Sequence, residues 1–382
     1  MCSVTKPLPN NFKLKYDKRN IEIYEGNKDV VINTNIISKE TGSRSFVYKI
    51  MCNGSKGLFP VVAKVQKSKG ERLQGLKYEK LVYSLMTKLV DAGVCPFRLR
   101  SYDMFEPENI LVTETFENMI DLGDFLDNFH HFSVYHTDDC YNILIQILYA
   151  IEVNYRVGIR HNDLHVHNVM ILFCPTRQTK KIIYLNRNKN ERRSIFMYNC
   201  SFMIKIFDND RVTKLGAKNK NVNSVYQKNY DPKPVLNLFP WHEPAVYTEK
   251  LDLFKIMQHI RDDSKSPILS RLVESLNVSF SKSEKKKKSS LHGTKNFMRY
   301  HLVTNPNVRK EPLARKCSVA KPGDACAMGN ITSNTNFPNW LDDFNSSEKA
   351  LMILVKSQPK STSNNKPVLI GDISKLYVKM KL

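Results

Sequence analysis

The chain reads as an α+β protein, and three observations predict that class. Two β-branched, apolar runs, Val61-Val62-Ala63-Lys64-Val65 and Ile110-Leu111-Val112-Thr113, fall in the first third of the 382 residues and read as strands. The apolar stretch from Tyr141 to Tyr155 instead carries Ile143, Ile147 and Ile151 as a helical stripe. Beyond it, the polar run His161-Asn162-Asp163-Leu164-His165-Val166-His167-Asn168 leads on towards a further strand candidate, Phe202 to Phe207. At 382 residues and 41% hydrophobic, the chain can bury a sizeable core and has length for two or three units.

In chain order, Glu40-Thr41-Gly42-Ser43-Arg44-Ser45-Phe46-Val47-Tyr48 reads as a hairpin turn. Lys64 then sits in an apolar strand, where a lysine needs an anion as partner. Glu79 offers one, fifteen residues on, in a helix whose Leu81, Leu85 and Leu89 recur at helical spacing. After the strand ending at Thr113, Glu114-Thr115-Phe116 could offer backbone groups to a planar base. Thr137 or Asp138 could cap the next helix, and Gly158 could end it just ahead of His161. That places Asp163 on a loop held by a buried helix.

The loop carries the chemistry. An aspartate and an asparagine five residues apart suit phosphoryl transfer: the first can take the proton of an attacking hydroxyl, while the amide oxygen of the second holds a metal ion on nucleotide phosphates. A plain polar loop with solvated histidines would also explain these residue types. Against that stands the strand candidate Phe202-Met203-Ile204-Lys205-Ile206-Phe207, which runs directly into Asp208-Asn209-Asp210, a good place for a metal.

With these parts in this order, residues 34 to 275 resemble the protein kinase superfamily. The resemblance implies a two-lobed fold, with a small, mostly β N-lobe over 34–116 after an extension at 1–33. A larger, mostly α C-lobe over 117–277 would carry a basic insertion at 175–201, and a basic region at 278–382 would pack in part on the C-lobe. It implies ATP and Mg2+ as cofactors, with Lys64 on the α and β phosphates and Glu79 as its partner. Asp163 would be the catalytic base, and Asn168 and Asp208 the metal ligands. Thr113 is similar to the gatekeeper, and Glu114 and Phe116 to a hinge touching adenine through their backbone. Glu40, Gly42, Ser45 and Val47 would line the phosphates, although only Gly42 and Val47 match the family's glycine-rich frame. The fine pattern most resembles the serine/threonine kinases of large cytoplasmic DNA viruses such as iridoviruses.

Other departures bear on mechanism. Asn162 stands in place of the usual arginine, His165 in place of a lysine or arginine two residues after the base, and Asn209-Asp210 in place of Phe-Gly. Phe239-Pro240-Trp241-His242-Glu243-Pro244 matches the family's Ala-Pro-Glu only loosely, and Asp252 could be the later structural aspartate. The expected activity is transfer of the γ-phosphoryl group of ATP to serine or threonine of protein substrates. Two alternatives stay open: a small-molecule phosphotransferase, raised by His165, and a catalytically weak pseudokinase that binds partners, raised by the poor phosphate loop.

Charge and composition set further expectations. The formal net charge of +22 raises attraction to polyanions, but no nucleic-acid-binding signature accompanies it, so acidic protein substrates or non-specific polyanion binding fit better. No apolar run reaches 18 residues, so no membrane span is expected. The first 18 residues lack the apolar core of a signal peptide, which points to a cytoplasmic or nuclear protein, in a host cell or virion if viral. Eight scattered cysteines without a C-x-x-C pair read as reduced thiols. Within 175–201, Lys181 to Leu185 and Ile195 to Tyr198 can pair as an extended hairpin. Ser281 to Ser290, with its four-lysine run, reads as a mobile loop, and Asn345-Ser346-Ser347-Glu348 opens a helix over about 346–357. Oligomeric state leaves no sequence signal.

Overall fold

A computed structural model describes residues 12–17, 20–25, 30–41, 45–54, 57–66, 71–102, 110–116, 118–128, 137–161, 163–186, 191–209, 212–214, 250–283, 346–359 and 366–376. Gly42, Asn162, Asp210, the segment 215–249 and the region 284–345 lie outside the described residues. The described part is mixed α+β.

Five strands come first: β1 (Phe12–Asp17), β2 (Asn20–Glu25), β3 (Val30–Thr41), β4 (Ser45–Gly54) and β5 (Gly57–Gln66). Helix α1 (Glu71–Asp91), β6 (Ser101–Tyr102) and β7 (Ile110–Glu114) follow. The seven strands form one sheet in the order β1-β2-β3-β4-β5-β7-β6. Every neighbouring pair in it is antiparallel.

Helix α1 packs differently from the leucine stripe read in the sequence. Leu89 is fully buried and Leu85 packs at the edge of the core, but Leu81 is 69% exposed. The buried side is Glu79, Val82, Tyr83, Met86, Leu89 and Val90. Four residues advance about 400° around a helix, so a pure four-residue spacing drifts about 40° per step. The true face alternates steps of three and four, and Leu81 falls off it.

The chain continues through β8 (Met119–Asp121), α2 (Leu122–Asp127), α3 (Thr137–Arg156) and β9 (Ile159–Arg160). Helix α3 is buried continuously from Asp139 to Asn154, so its polar residues need partners. Asn142 donates to the Tyr198 carbonyl at 2.8 Å, and Gln146 accepts the Ile204 N–H at 2.9 Å. Glu152 takes Arg156 Nε and the Ser347 hydroxyl, each at 2.7 Å. Those side chains, which interrupt the apolar run in sequence, fasten the helix to the segments that hold Tyr198, Ile204 and Ser347. Gly158, at φ 71°, turns the chain out of α3 where a side chain would be strained.

Strands β10 (Val169–Leu185) and β11 (Arg192–Ile206) form a long antiparallel hairpin, and β12 (Thr213–Lys214) pairs with β9. The register sets Ile182 opposite Ile195 and Leu185 opposite Arg192. The stretch expected to be a basic insertion contributes to the core: Ile182, Tyr184, Ile195, Met197 and Cys200 are buried, while Arg192 and Arg193 face solvent. Alternation with a period of two lets one strand be basic outside and apolar inside.

Helices α4 (Lys250–Asp263), α5 (Pro267–Ser283) and α6 (Ser347–Ser357) and strand β13 (Val368–Asp372) complete the described chain. Ser346 caps α6 by accepting the Lys349 N–H at 3.2 Å, and Ala350, Leu351 and Leu354 join the same core cluster as α3. β13 pairs in parallel with Lys180 to Ile183 of β10. The expected mobile loop starts inside α5, which runs to Ser283. Cys95, Cys140 and Cys200 are free buried thiols, but Cys174 is disulfide-bonded, against the reading of reduced cysteines throughout. Spacing in sequence does not reveal which thiols meet in space. No described helix is long and apolar enough to cross a membrane.

Candidate active site

Strand register assembles one side of the site. Glu40 of β3 pairs with Val47 of β4, and Val47 pairs with Lys64 of β5, so three residues distant in sequence lie in one row across the sheet. Ser45, the first residue of β4, is buried. Lys64 Nζ donates to Glu79 Oε1 and Oε2 at 3.0 and 3.1 Å, and to Asp208 Oδ1 at 3.0 Å. The lysine thus gains the anion its strand position demanded, and a second one from 144 residues away.

Asp208 sits just past the end of β11 at φ 56°, a conformation that most side chains avoid and aspartate tolerates better than most. Its N–H donates to the Tyr83 hydroxyl at 3.1 Å, so α1 holds both the partner of Lys64 and the backbone of the carboxylate Lys64 reaches. Burial by itself would raise the Asp208 carboxyl, but the Lys64 ammonium outweighs it and holds the group below the usual aspartate value. Burial pushes the Tyr83 phenol far up, so it stays protonated.

The loop after α3 forms the other side. Asn168 donates its amide N–H to the Asp163 carbonyl at 2.8 Å, which closes the loop and leaves the amide oxygen as the atom it has for a metal. The Asn168 carbonyl accepts the Phe207 N–H at 3.1 Å, placing Asn168 beside the residue before Asp208. An amide oxygen and a carboxylate are the hard donors that Mg2+ takes alongside water and phosphate, so these two residues fit that ion.

Helix α4 holds the loop from the other direction, one contact for each of three alternate residues. Asp252 Oδ2 accepts the His161 N–H at 2.6 Å, which makes this buried aspartate a structural anchor. Lys255 Nζ donates to Asp163 Oδ1. The His259 ring lies 5.9 Å from that of His165. Positions 252, 255 and 259 share one helix face, and the extended loop offers 161, 163 and 165 to it. The sequence reading missed Lys255. Helical spacing from Asp252 could have put both on one face, but not against this loop.

Two of the histidines are held towards the neutral form. Burial lowers His161, whose Nε2–H donates to the Phe207 carbonyl at 2.9 Å. Burial also lowers His165, to about 4, and its Nε2 stands 3.9 Å from Asp163 Oδ2, beyond hydrogen-bond distance. His167 Nδ1 lies 3.1 Å from Asp121 Oδ1.

Several buried polar groups near these elements lack a hydrogen-bond partner among the described residues, and Arg98 is one that the sequence patterns did not single out. Arg98 is 1% exposed, and its three guanidinium nitrogens make no hydrogen bond among the described residues. His161 Nδ1 and both amide atoms of Asn209 are likewise unpartnered and buried.

Thr113 is buried in β7, paired with Val62 and Ser101. The Glu114 carboxylate takes Lys205 Nζ and the Arg100 N–H, each at 3.1 Å, and its own N–H goes to the Arg100 carbonyl at 2.9 Å. A base recognised at Glu114 would therefore have to use the carbonyl oxygen. Phe116 packs with Phe207 against Tyr83, Leu99 and Leu111, beneath the Lys205 ammonium at 5.6 Å.

No protein-family profile matches this chain, and no curated protein is similar to it. Among solved structures, a crystal structure described as a kinase domain is similar at 14% identity and a TM-score of 0.42, over 86% of this chain and 97% of that one. So loose an overlap assigns no residue.

Proposed function

We propose that this protein is an ATP-dependent phosphotransferase that acts on serine or threonine hydroxyls of protein substrates. The observation that carries the reading is Lys64 held between Glu79 and Asp208, next to a loop that presents Asp163 and Asn168. One ammonium braced by a buried carboxylate is a fixed positive point for nucleotide phosphates. Asp163 would accept the proton of the attacking hydroxyl, and Asn168 and Asp208 would hold the metal. Bound Mg2+ would neutralise charge on the β and γ phosphates. The loop keeps its shape during the step because Asp252 and Asn168 fasten its backbone at both ends.

The +22 charge favours acidic protein substrates. The pattern His161-Asn162-Asp163-Leu164-His165 supports a place near the kinases of large DNA viruses, acting inside a host cell or virion. A second reading, transfer to a small alcohol, draws on His165, a neutral imidazole beside the proposed base.

The test is γ-labelled ATP with purified full-length protein against dephosphorylated casein and a panel of small alcohols, with Mg2+ and with EDTA. Mg2+-dependent label on serine or threonine supports the proposal. Label only on an alcohol favours the second reading, and nucleotide binding without transfer reduces the protein to a binding module.

A further inference from the structure

Phosphoryl transfer gathers negative charge on the moving group while a carboxylate base stands close by, so the step needs a cation near that base. The run His161 to Asn168 contains no lysine or arginine. Lys64 is engaged by Glu79 and Asp208. His165 does not reach hydrogen-bond distance of Asp163. Lys255 does, from a different helix. Its side chain is 18% exposed and that of Asp163 12%, so the pair is part-buried and each side chain keeps some open surface. Three residues earlier on α4, Asp252 fixes the helix to the same loop, which gives Lys255 a constant starting point.

We propose that Lys255 is the catalytic cation of the transfer step, supplied by α4 in place of one from the loop; this rests on the reading of Asp163 as the base. Before the step Lys255 aims the carboxylate. In the step the acceptor oxygen bonds to the γ-phosphorus as the bond from phosphorus to the bridging oxygen breaks, and that bonding pair leaves with ADP. The hydroxyl proton passes to Asp163. Lys255 keeps its own protons and donates a hydrogen bond to a non-bridging oxygen of the moving group.

The test compares full-length wild type, Lys255→Met, Lys255→Arg and the double variant Lys255→Met/His165→Lys, with Mg-ATP and dephosphorylated casein. Lys255→Met should lower kcat about 100-fold, with KM for ATP within about twofold. Returning a cation at 165 should recover at least about tenfold of that loss, which a merely structural ion pair would not do. A kcat within about threefold of wild type, a loss carried by KM for ATP, or no recovery in a double variant that still binds nucleotide overturns the inference. If Lys255→Met binds no nucleotide, Lys255→Arg decides: a tenth of the wild-type kcat or more supports the role, and less in a protein that binds nucleotide overturns it. A wild type that transfers nothing to any acceptor sinks the proposed function, and this inference with it.

Discussion

The two sides of the candidate site secure their charges in opposite ways. Around Lys64, one cation is shared by two carboxylates, and all three come from elements that hold each other: β5, α1 and the end of β11. Around Asp163, the backbone is fixed by Asp252 and Asn168, while the carboxylate takes its cation from a helix that begins 87 residues later in the chain (250 − 163). Nucleotide phosphates arrive with fixed charge and suit a rigid receptor. An acceptor hydroxyl changes charge during the step and suits a base whose counter-ion can move to the new charge. Buried Arg98 makes no hydrogen bond from its guanidinium among the described residues, in contrast to Lys64 with its two carboxylate partners.

The largest effect that would break this contrast is on transfer itself. Asp163→Asn and Asp208→Asn should each lower kcat by about 100- to 10,000-fold. They should differ in binding: Asp208→Asn weakens nucleotide affinity in Mg2+, and Asp163→Asn spares it. Titration of a fluorescent nucleotide with and without Mg2+ separates the two, and equal effects would erase the division between the sides.

Lys64→Met comes next. It leaves Glu79, 3% exposed, without its ammonium partner, and should cost about 1–3 kcal/mol of stability beside a steep loss of activity. Adding Glu79→Leu should return part of the stability and none of the activity. Urea unfolding of the single and double variants gives the coupling directly. Additive losses would mean the pair is not the unit drawn here.

A smaller effect sharpens the acceptor side. His165 titrates at about 4 when folded, against the ordinary 6.5, so the unfolded chain binds its proton first as the pH falls. The stability it contributes is present above pH 6.5 and is lost on descent to about pH 4. His165→Gln should flatten that part of the unfolding curve, and an unchanged slope would show that His165 is better solvated than its burial implies.

The smallest effect concerns Arg98. A buried charge without hydrogen bonds can be replaced by an apolar side chain at little cost. Arg98→Met should shift stability by less than about 1 kcal/mol or raise it. A loss of several kcal/mol would show that its long-range attraction to Asp252 carries real weight.

Local chemistry makes the Lys64 side legible from the amino-acid sequence. A lysine in an apolar strand and a glutamate on the next helix announce a pair, because burial forbids either alone. The amide and acid of the 161–168 loop, and the acid after the strand ending at Phe207, are likewise consequences of neighbouring residues. The buried helix α3 is legible too, since an apolar run with helical spacing needs no distant partner to be recognised. Three things are decided by tertiary structure. The 175–201 hairpin is half core, because what fills its inner face is α3. Leu81 is exposed because packing selects a true helical face rather than a leucine spacing. Lys255 meets Asp163 because α4 is fastened to the loop by Asp252, and no local pattern encodes a contact between residues 92 positions apart.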